Sequence, residues 1–515
     1  MSDIAVAESG IRLQNFLDHA GLRGFPWKTA TILYTISWGW LFIVHDSYWA
    51  DDWVWFPEYV KQYPYPYEVF GLPPWFKLSG EIVEVIGPSG FRVILFFSFL
   101  CAAIFLFGIL QKFKVLNLVE HKFLVLLFLL LPFNTARVAL MCFHYTLSYF
   151  YFFAAWYLIV TFRPICLKIL AVFLFLMSFQ TQSILSFYYL PILHLFFLSE
   201  SKKLPEIFLW ARRNIAIVLL PVLYWVMGSI YWSKNSSYND LTVEKLSGAL
   251  GFMFGSGLIF LILYLLQKRV STNNKSAFQI ILFGAVAVFV GLLPYVVNGS
   301  FSNDFLIFSK YLTTLFGRSD WYSRHQMLQP LGIALLIVGI IGLLPKPIER
   351  SSRQVRVSLL SLCVIFNLGF GFEYVVDQVK QKEIVAQLKE IDNSDSVARY
   401  QIIDQTGNLN ARGREYRYRD WQGLISLAYD SDLQYKTDVV IKTSCSPQLS
   451  SRFVLIQGPE THWQALKNWV SDGDMGFKVT VDDTPGACKP EMVTAEKVSG
   501  AIPILFYFTG TKTEN

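Results

Sequence analysis

Long apolar stretches separated by short polar segments recur along most of this chain, and they constrain its fold more than any other feature. Each is close to the roughly 17 to 25 residues that a helix needs to cross a lipid bilayer. Hydrophobic residues make up 54% of the 515 residues and charged residues only 16%, more apolar surface than a soluble protein of this size can bury. Because backbone groups in lipid must be hydrogen-bonded internally, the sequence predicts a polytopic α-helical membrane protein.

About eleven candidate spans can be assigned from length and apolarity. They lie near residues 29–45, 92–110, 122–133, 147–162, 167–180, 184–198, 214–232, 249–267, 278–297, 329–345 and 357–374. The third and the fifth are short, so we expect them to be tilted, re-entrant or joined to their neighbours at the external surface.

Basic residues distinguish the two sides of the membrane. Lysine and arginine are retained in cytoplasmic loops, and here they fall in every second loop. They are Lys112, Lys114, Lys122, Arg163, Lys168, Lys202, Lys203, Arg212, Arg213, Lys268, Arg269, Lys275, Lys346, Arg350, Arg353 and Arg356. This alternation predicts an odd number of spans and a cytoplasmic N terminus. The first 28 residues are polar, and no small-residue cleavage site follows the first apolar run, so we expect no cleaved signal peptide.

The composition changes near residue 375, where Asp, Lys, Glu, Gln and Ser replace the Phe and Leu runs. Residues 375–391 have helical spacing and residues 461–470 read as a helix, with Thr461 as its cap. The apolar runs 400–403, 439–441 and 453–456 read as buried strands. We therefore predict two domains, a transmembrane domain over 1–374 and a soluble α/β domain over 375–515 on the external face.

Two of the six cysteines, Cys445 and Cys488, lie in this C-terminal part, whereas the other four lie in or beside apolar runs. A disulfide between them is one expectation in an oxidising compartment. Two unpaired buried thiols are the alternative.

Acidic and aromatic residues concentrate directly after the first span, at residues 45–53. Asp46, Asp51 and Asp52 place three carboxylates at a membrane boundary, where their cost suggests a function. An aspartate here can accept a proton or hold a cation, and the rings of Trp49 and Trp53 can stack on a sugar. Adjacent helical residues diverge by about 100°, so we expect one of Asp51 and Asp52 to face a shared site. The alternative is an interfacial belt of Asp and Trp, but the excess of carboxylates over bases favours function.

The element Trp49-Ala50-Asp51-Asp52-Trp53, in the first external loop of a chain with about eleven spans and an external C-terminal domain, resembles the GT-C superfamily of integral-membrane glycosyltransferases. The resemblance covers architecture and this element. It implies that Asp51 or Asp52 is the base that activates an acceptor hydroxyl, or a ligand of a divalent cation, with Asp46 a weaker third candidate. It also implies a donor sugar on a polyprenyl phosphate or diphosphate.

Such a donor needs cationic groups at the same membrane face, and residues 317–326 supply them before the tenth span. Arg318 and Arg324 suit phosphate oxygens, and His325 can bond or protonate a leaving phosphate. We predict that these residues and Asp320 bind substrate. The alternative is an ordinary loop in which Asp320 and Arg324 pair at helical spacing; the concentration of Arg, His and Trp in a chain poor in charge argues against it.

Further polar residues interrupt the apolar runs. Arg137, with His144 after it, flanks the external end of the third span and is a second candidate phosphate contact; the alternative is an arginine that extends to lipid headgroups. The polar break at 179–183 either lines a cavity or forms a simple hairpin turn. His194, alone in an apolar run, is expected to pack or to form an interhelical hydrogen bond.

Together with these residues, the resemblance to the GT-C superfamily implies a glycosyltransferase of the bacterial inner membrane that moves a sugar from a lipid-linked donor to a glycan or lipid acceptor, with a divalent cation as a candidate cofactor. A polysaccharide polymerase or ligase and a lipid-linked-glycan transporter are the rivals. Transporters often show an internal sequence repeat, and none is visible in this chain. The chain has no P-loop, no dinucleotide fingerprint and no zinc-protease motif, and its net charge of +6 comes largely from the cytoplasmic loops, so nucleic-acid binding has no support.

Overall fold

The computed structural model describes residues 22–49, 52, 75–112, 116–198, 209, 212, 214–231, 253, 275–297, 326–343, 349–390, 399–429, 438–441 and 452–482. Within these ranges the chain is mostly helical and contains one four-stranded sheet.

The helices before the sheet follow the apolar stretches. They are α1 (Trp27–Trp38), α2 (Trp75–Leu110), α3 (Leu118–Leu130), α4 (Phe143–Thr161), α5 (Ile165–Ser178), α6 (Ile184–Phe187), α7 (Tyr189–Leu198), α8 (Ile215–Val218), α9 (Leu220–Tyr231), α10 (Lys275–Val297), α11 (Gln329–Gly342) and α12 (Glu349–Lys389). Short 3-10 helices extend α1 over Gly39–Phe42 and precede α4 at Thr135–Val138 and Leu140–Cys142. The predicted span at 249–267 lies outside the described residues except for residue 253.

In the described part of the chain, three helical segments are long and apolar enough to cross a membrane. They are Val85–Leu110, Lys275–Tyr295 and Ser352–Lys389. Three shorter apolar segments, within α5, α6 to α7, and α11, fall below that length. The chain is therefore helical with membrane-like helices, and the number of eleven spans stays a prediction.

Glycines allow α10 and α11 to pack closely. A Cβ atom on Gly339 of α11 would lie 2.6 Å from Cγ1 of Ile281, and one on Gly332 would lie 2.7 Å from the backbone nitrogen of Val288. Both distances are shorter than van der Waals contact, so only glycine fits. Small residues are the usual means of close helix packing in membranes, where lipid gives no hydrophobic drive for association.

Helix α12 connects the two halves of the molecule. Its first part packs against α1, α3 and the 3-10 helix at Gly39–Phe42, and its last part packs against the sheet and the helices beside it. Asn367 Nδ2 donates to the carbonyl oxygen of Leu130 at 2.7 Å and so satisfies the C-terminal end of α3. The domain boundary predicted at residue 375 lies inside this continuous helix.

The sheet has the order β2-β1-β3-β4, with β1 (Arg399–Asp404), β2 (Asp438–Ile441), β3 (Arg452–Gln457) and β4 (Lys478–Asp482). β1 is parallel to β2 and β3, whereas β4 is antiparallel to β3. Helices α13 (Tyr418–Tyr429) and α14 (His462–Asp472) complete this part. The three predicted strands and the predicted helix at 461–470 are confirmed, as is its cap, because Thr461 Oγ1 accepts from the backbone nitrogen of Gln464 at 3.1 Å.

Candidate functional site

The loop after α1 is closed by one of the predicted catalytic carboxylates. Asp52 is fully buried. Its Oδ2 accepts from the backbone nitrogen of Trp49 at 2.9 Å, and its own backbone nitrogen donates to the Trp49 carbonyl at 3.0 Å. A buried carboxylate is costly unless it is bonded and compensated by a positive charge, so the environment of Asp52 must supply a cation.

Arg92 of α2 supplies that charge. Its side chain is fully buried, and it donates through Nη1 to the carbonyl of His45 and through Nη2 to the carbonyl of Ser47 at 2.5 Å. Its Cζ lies 4.8 Å from the ring centroid of Trp49, and Asp52 is its strongest electrostatic neighbour. The loop that carries the aspartates is therefore wrapped around one buried guanidinium. We did not predict Arg92, although a single arginine in the apolar run 91–110 is the signal that identifies it.

Asp46 connects the loop after α1 to α12 through an ion pair and a hydrogen bond. Its Oδ2 lies 3.0 Å from Lys382 Nζ, and its Oδ1 accepts from Gln378 Nε2. Gln381 Nε2 donates to the Tyr48 carbonyl at 2.9 Å. Partial burial raises the pKa of Asp46, but the bond and charge of Lys382 outweigh it and hold this pKa below its ordinary value. Its carboxylate is thus engaged in holding the loop, and the substrate-binding role predicted for it stays a prediction.

Arg137 lies in the 3-10 helix between α3 and α4 and is almost fully buried. Its Cζ lies 3.3 Å from the ring centroid of Trp38 and 4.2 Å from that of Phe99. Among the described residues, its Nε and Nη2 have no hydrogen-bond partner, and neither has the hydroxyl of Tyr149, a close electrostatic neighbour. Burial lowers the pKa of Arg137 to about 10, so it is charged at neutral pH. A buried cation with unused donors fits an anion better than a headgroup contact at the surface.

An aromatic row of Trp38, Trp40, Tyr374 and Trp49 connects the two arginines. Neighbouring ring centroids along it are 5.4, 5.1 and 5.2 Å apart. Arg137 stacks on its first ring and Arg92 on its last. The hydroxyl of Tyr374 also donates to the carbonyl of Thr135 at 3.4 Å. The row therefore links the loop after α1, which carries the aspartates, to the 3-10 helix that carries Arg137. Both segments lie at the same end of the helices, on one side of α12.

Asp51 lies outside the described residues, and so do the loop residues Arg318, Asp320, Arg324 and His325. The residue after this loop is described: Gln326 Oε1 accepts from the backbone nitrogen of Asn134 at 3.4 Å. The loop at residues 317–326 therefore ends in contact with Asn134, which lies three residues before Arg137 in the sequence.

The other polar interruptions have structural partners. His194 Nδ1 accepts from Trp156 Nε1 at 3.0 Å, which confirms its predicted interhelical bond. Thr181 of the polar break donates to Ser148 Oγ at 2.9 Å. His144 is buried at the start of α4, and its carbonyl lies 3.5 Å from Gln180 Nε2. These residues tie α4 to its neighbours.

A buried polar network joins α12 to the segment before α13. Asp377 accepts from the Tyr416 hydroxyl and, at 2.8 Å, from the Ala411 backbone nitrogen, and Lys380 Nζ lies 2.6 Å from Asp404 Oδ2. Burial and the charge of Asp377 raise the pKa of Tyr416 well above its ordinary value. Because the same helix holds the Asp46 loop, this network fixes the sheet relative to the candidate site.

No group of three or more His, Cys, Asp or Glu side chains suited to a metal ion occurs in the described ranges. Arg92 beside Asp52 further disfavours a second cation there, because like charges repel in a buried site.

Comparison with known proteins finds no matching family model, no matching curated protein and no matching solved structure.

Proposed function

We propose that this chain is a membrane glycosyltransferase that transfers a sugar from a polyprenyl-phosphate donor to a glycan or lipid acceptor on the external face of the bacterial inner membrane. The proposal includes the architecture of about eleven spans, a cytoplasmic N terminus and a soluble α/β domain on the external side. The acidic element at residues 49–53 and its resemblance to GT-C enzymes suggest the reaction class.

The observation that carries the proposal is that one aromatic row links two segments that each hold a buried charged group. Asp52 is buried on a loop organised by Arg92, and Arg137 is buried with two nitrogens that lack partners in the described part of the chain. Buried donors are usually satisfied by protein groups, water or a bound ion, and a phosphate oxygen suits a guanidinium. A carboxylate for a hydroxyl and a guanidinium for a phosphate are the two groups that this transfer requires.

The donor phosphate binds Arg137 in this proposal, with Arg318, Arg324 and His325 as further contacts from the loop that ends at Gln326. The guanidinium of Arg137 already stacks on the rings of Trp38 and Phe99. Such a fixed cation stabilises developing negative charge without reorganising, which is the most effective form of electrostatic catalysis.

The reaction is a single displacement. The acceptor hydroxyl donates its proton to Asp51 or Asp52 as its oxygen forms a bond to the anomeric carbon. The bond from that carbon to the phosphate oxygen breaks, and the phosphate leaves with the electron pair and is stabilised by the arginines. No covalent enzyme intermediate is required. In this proposal the aspartate acts as the base.

Comparison of surface glycans from cells with and without the protein tests the proposal. A transferase predicts loss of one sugar type from a defined acceptor and accumulation of the matching polyprenyl-phosphate sugar. A polymerase or ligase predicts intact but shorter or unattached chains, and its first-loop aspartates would be dispensable. A transporter predicts loss of the whole glycan from the surface while cell extracts still complete the transfer. Either of the last two patterns contradicts the proposal.

A further inference from the structure

Helix α14 carries apolar side chains on the face that points away from its core. Ala465 is fully buried against α12, in a cluster with Val376 and Phe477. Trp463, Leu466 and Val470 form a stripe at helical spacing, and Trp463 and Val470 lie roughly opposite Ala465. Trp463 is 59% exposed and Val470 75% exposed. A surface helix in water has a polar outer face, so this stripe requires an explanation.

The position of α14 along α12 provides one. The ring of His462, the first residue of α14, lies 6.3 Å from that of Phe372. Phe372 belongs to the predicted span 357–374 of α12, and the charged residues Asp377 and Lys380 follow within two turns. Helix α14 therefore begins at the level where the apolar part of α12 ends.

We propose that α14 is an interfacial anchor whose Trp463, Leu466 and Val470 insert into the lipid headgroup region beside α12. The inference rests on the proposal that α12 crosses the membrane. Tryptophan is enriched at membrane interfaces because its ring is apolar and its N–H remains hydrated. A second tryptophan, Trp469, is 53% exposed on the same helix.

The stripe on α14 binds lipid in general and does not select anionic lipid. Helix α14 carries one lysine, Lys467, and one aspartate, Asp472, so it has no net positive charge to attract acidic headgroups. Its binding energy comes from burial of apolar area. The anchor would hold the sheet against the bilayer, close to the loop that carries the aspartates, because both contact α12.

Photo-crosslinking of the full chain tests this anchor. p-Benzoylphenylalanine replaces Trp463 or Val470, and the protein is reconstituted in phosphatidylcholine vesicles, with or without phosphatidylglycerol. Thr480 is the matched exposed control on β4. Gln387 of α12 contacts Val479, the residue before Thr480 on β4. Gln387 lies about 22 Å beyond Phe372 along the axis of α12, at 1.5 Å per residue. Ile365, 52% exposed on the apolar part of α12, is the positive control.

The anchor predicts phospholipid adducts at Trp463 and Val470 at least about tenfold above those at Thr480 and equal in both lipid mixtures. Adducts at Ile365 but only background at Trp463 and Val470 overturn the anchor and leave the membrane assignment intact. Crosslinks from Trp463 to another protein or to a second copy also overturn it. Absence of adducts at Ile365 as well contradicts the membrane placement of α12, and with it both proposals.

Discussion

Replacement of Arg137 by methionine separates a ligand-binding arginine from a structural one. In the described structure Nε and Nη2 of this buried side chain lack partners, and each unsatisfied group costs about 1–3 kcal/mol. Stacking of the guanidinium on Trp38 and Phe99 offsets roughly 1–2 kcal/mol per ring. The two contributions nearly cancel, so Arg137→Met, which retains the volume, should leave the stability within about 1 kcal/mol of the wild type or raise it.

The assay is thermal unfolding in lipid nanodiscs combined with sugar transfer. We expect Arg137→Met to unfold at or above the wild-type temperature and to lose transfer at least about a hundredfold, which corresponds to the removal of one electrostatic contact to the leaving group. Arg137→Lys should retain part of the activity, because lysine keeps the positive charge but lacks the planar guanidinium that binds two phosphate oxygens at once. The exposed Arg163→Met is the matched control and should change neither property. A large loss of stability, or full activity, in Arg137→Met refutes the reasoning.

Three further perturbations test the packing around the site. Gly339→Leu should prevent α10 from approaching α11 and lower the unfolding temperature; an unchanged temperature contradicts the close packing. Lys380→Met should cost about 3–5 kcal/mol by removing the cation that pairs with the Asp404 carboxylate, and a neutral effect in chemical unfolding would exclude this. Because folding lowers the pKa of Asp46, its pair with Lys382 stabilises above pH about 4 and weakens in acid. For this exposed pair, Lys382→Gln should lower stability by under about 1 kcal/mol at pH 7 and by less at pH 3; a pH-independent difference refutes the pairing.

Elements with a regular sequence pattern were predictable. The strands at 400–403 and 453–456 are short apolar runs bounded by polar residues, and Thr461 followed by a helical pattern identifies a capped helix. The apolar stretches likewise identify most helices. These features depend on local sequence, so periodicity and capping suffice to find them.

Contacts between distant segments were not predictable in this way. Asp46 lies more than three hundred positions before its partners Gln378 and Lys382, and nothing in either segment identifies the other. Arg92 resembles any arginine near the end of a span until the loop carbonyls of His45 and Ser47 are placed around it. The candidate site is formed by tertiary packing, so one sequence indicated its residue types but not their pairing.

The central claim is that the acidic residues after α1 transfer a sugar from a lipid-linked donor. It is tested most directly by mass spectrometry of products formed by the purified chain in nanodiscs, with polyprenyl-phosphate sugars and cell-envelope acceptors extracted from cells that lack the protein. Wild-type protein should add one sugar to an acceptor with matching loss of the donor, and Asp51→Asn or Asp52→Asn should abolish this while the exposed control Asp472→Asn does not. Wild-type transfer by both Asn variants of the loop would contradict the account.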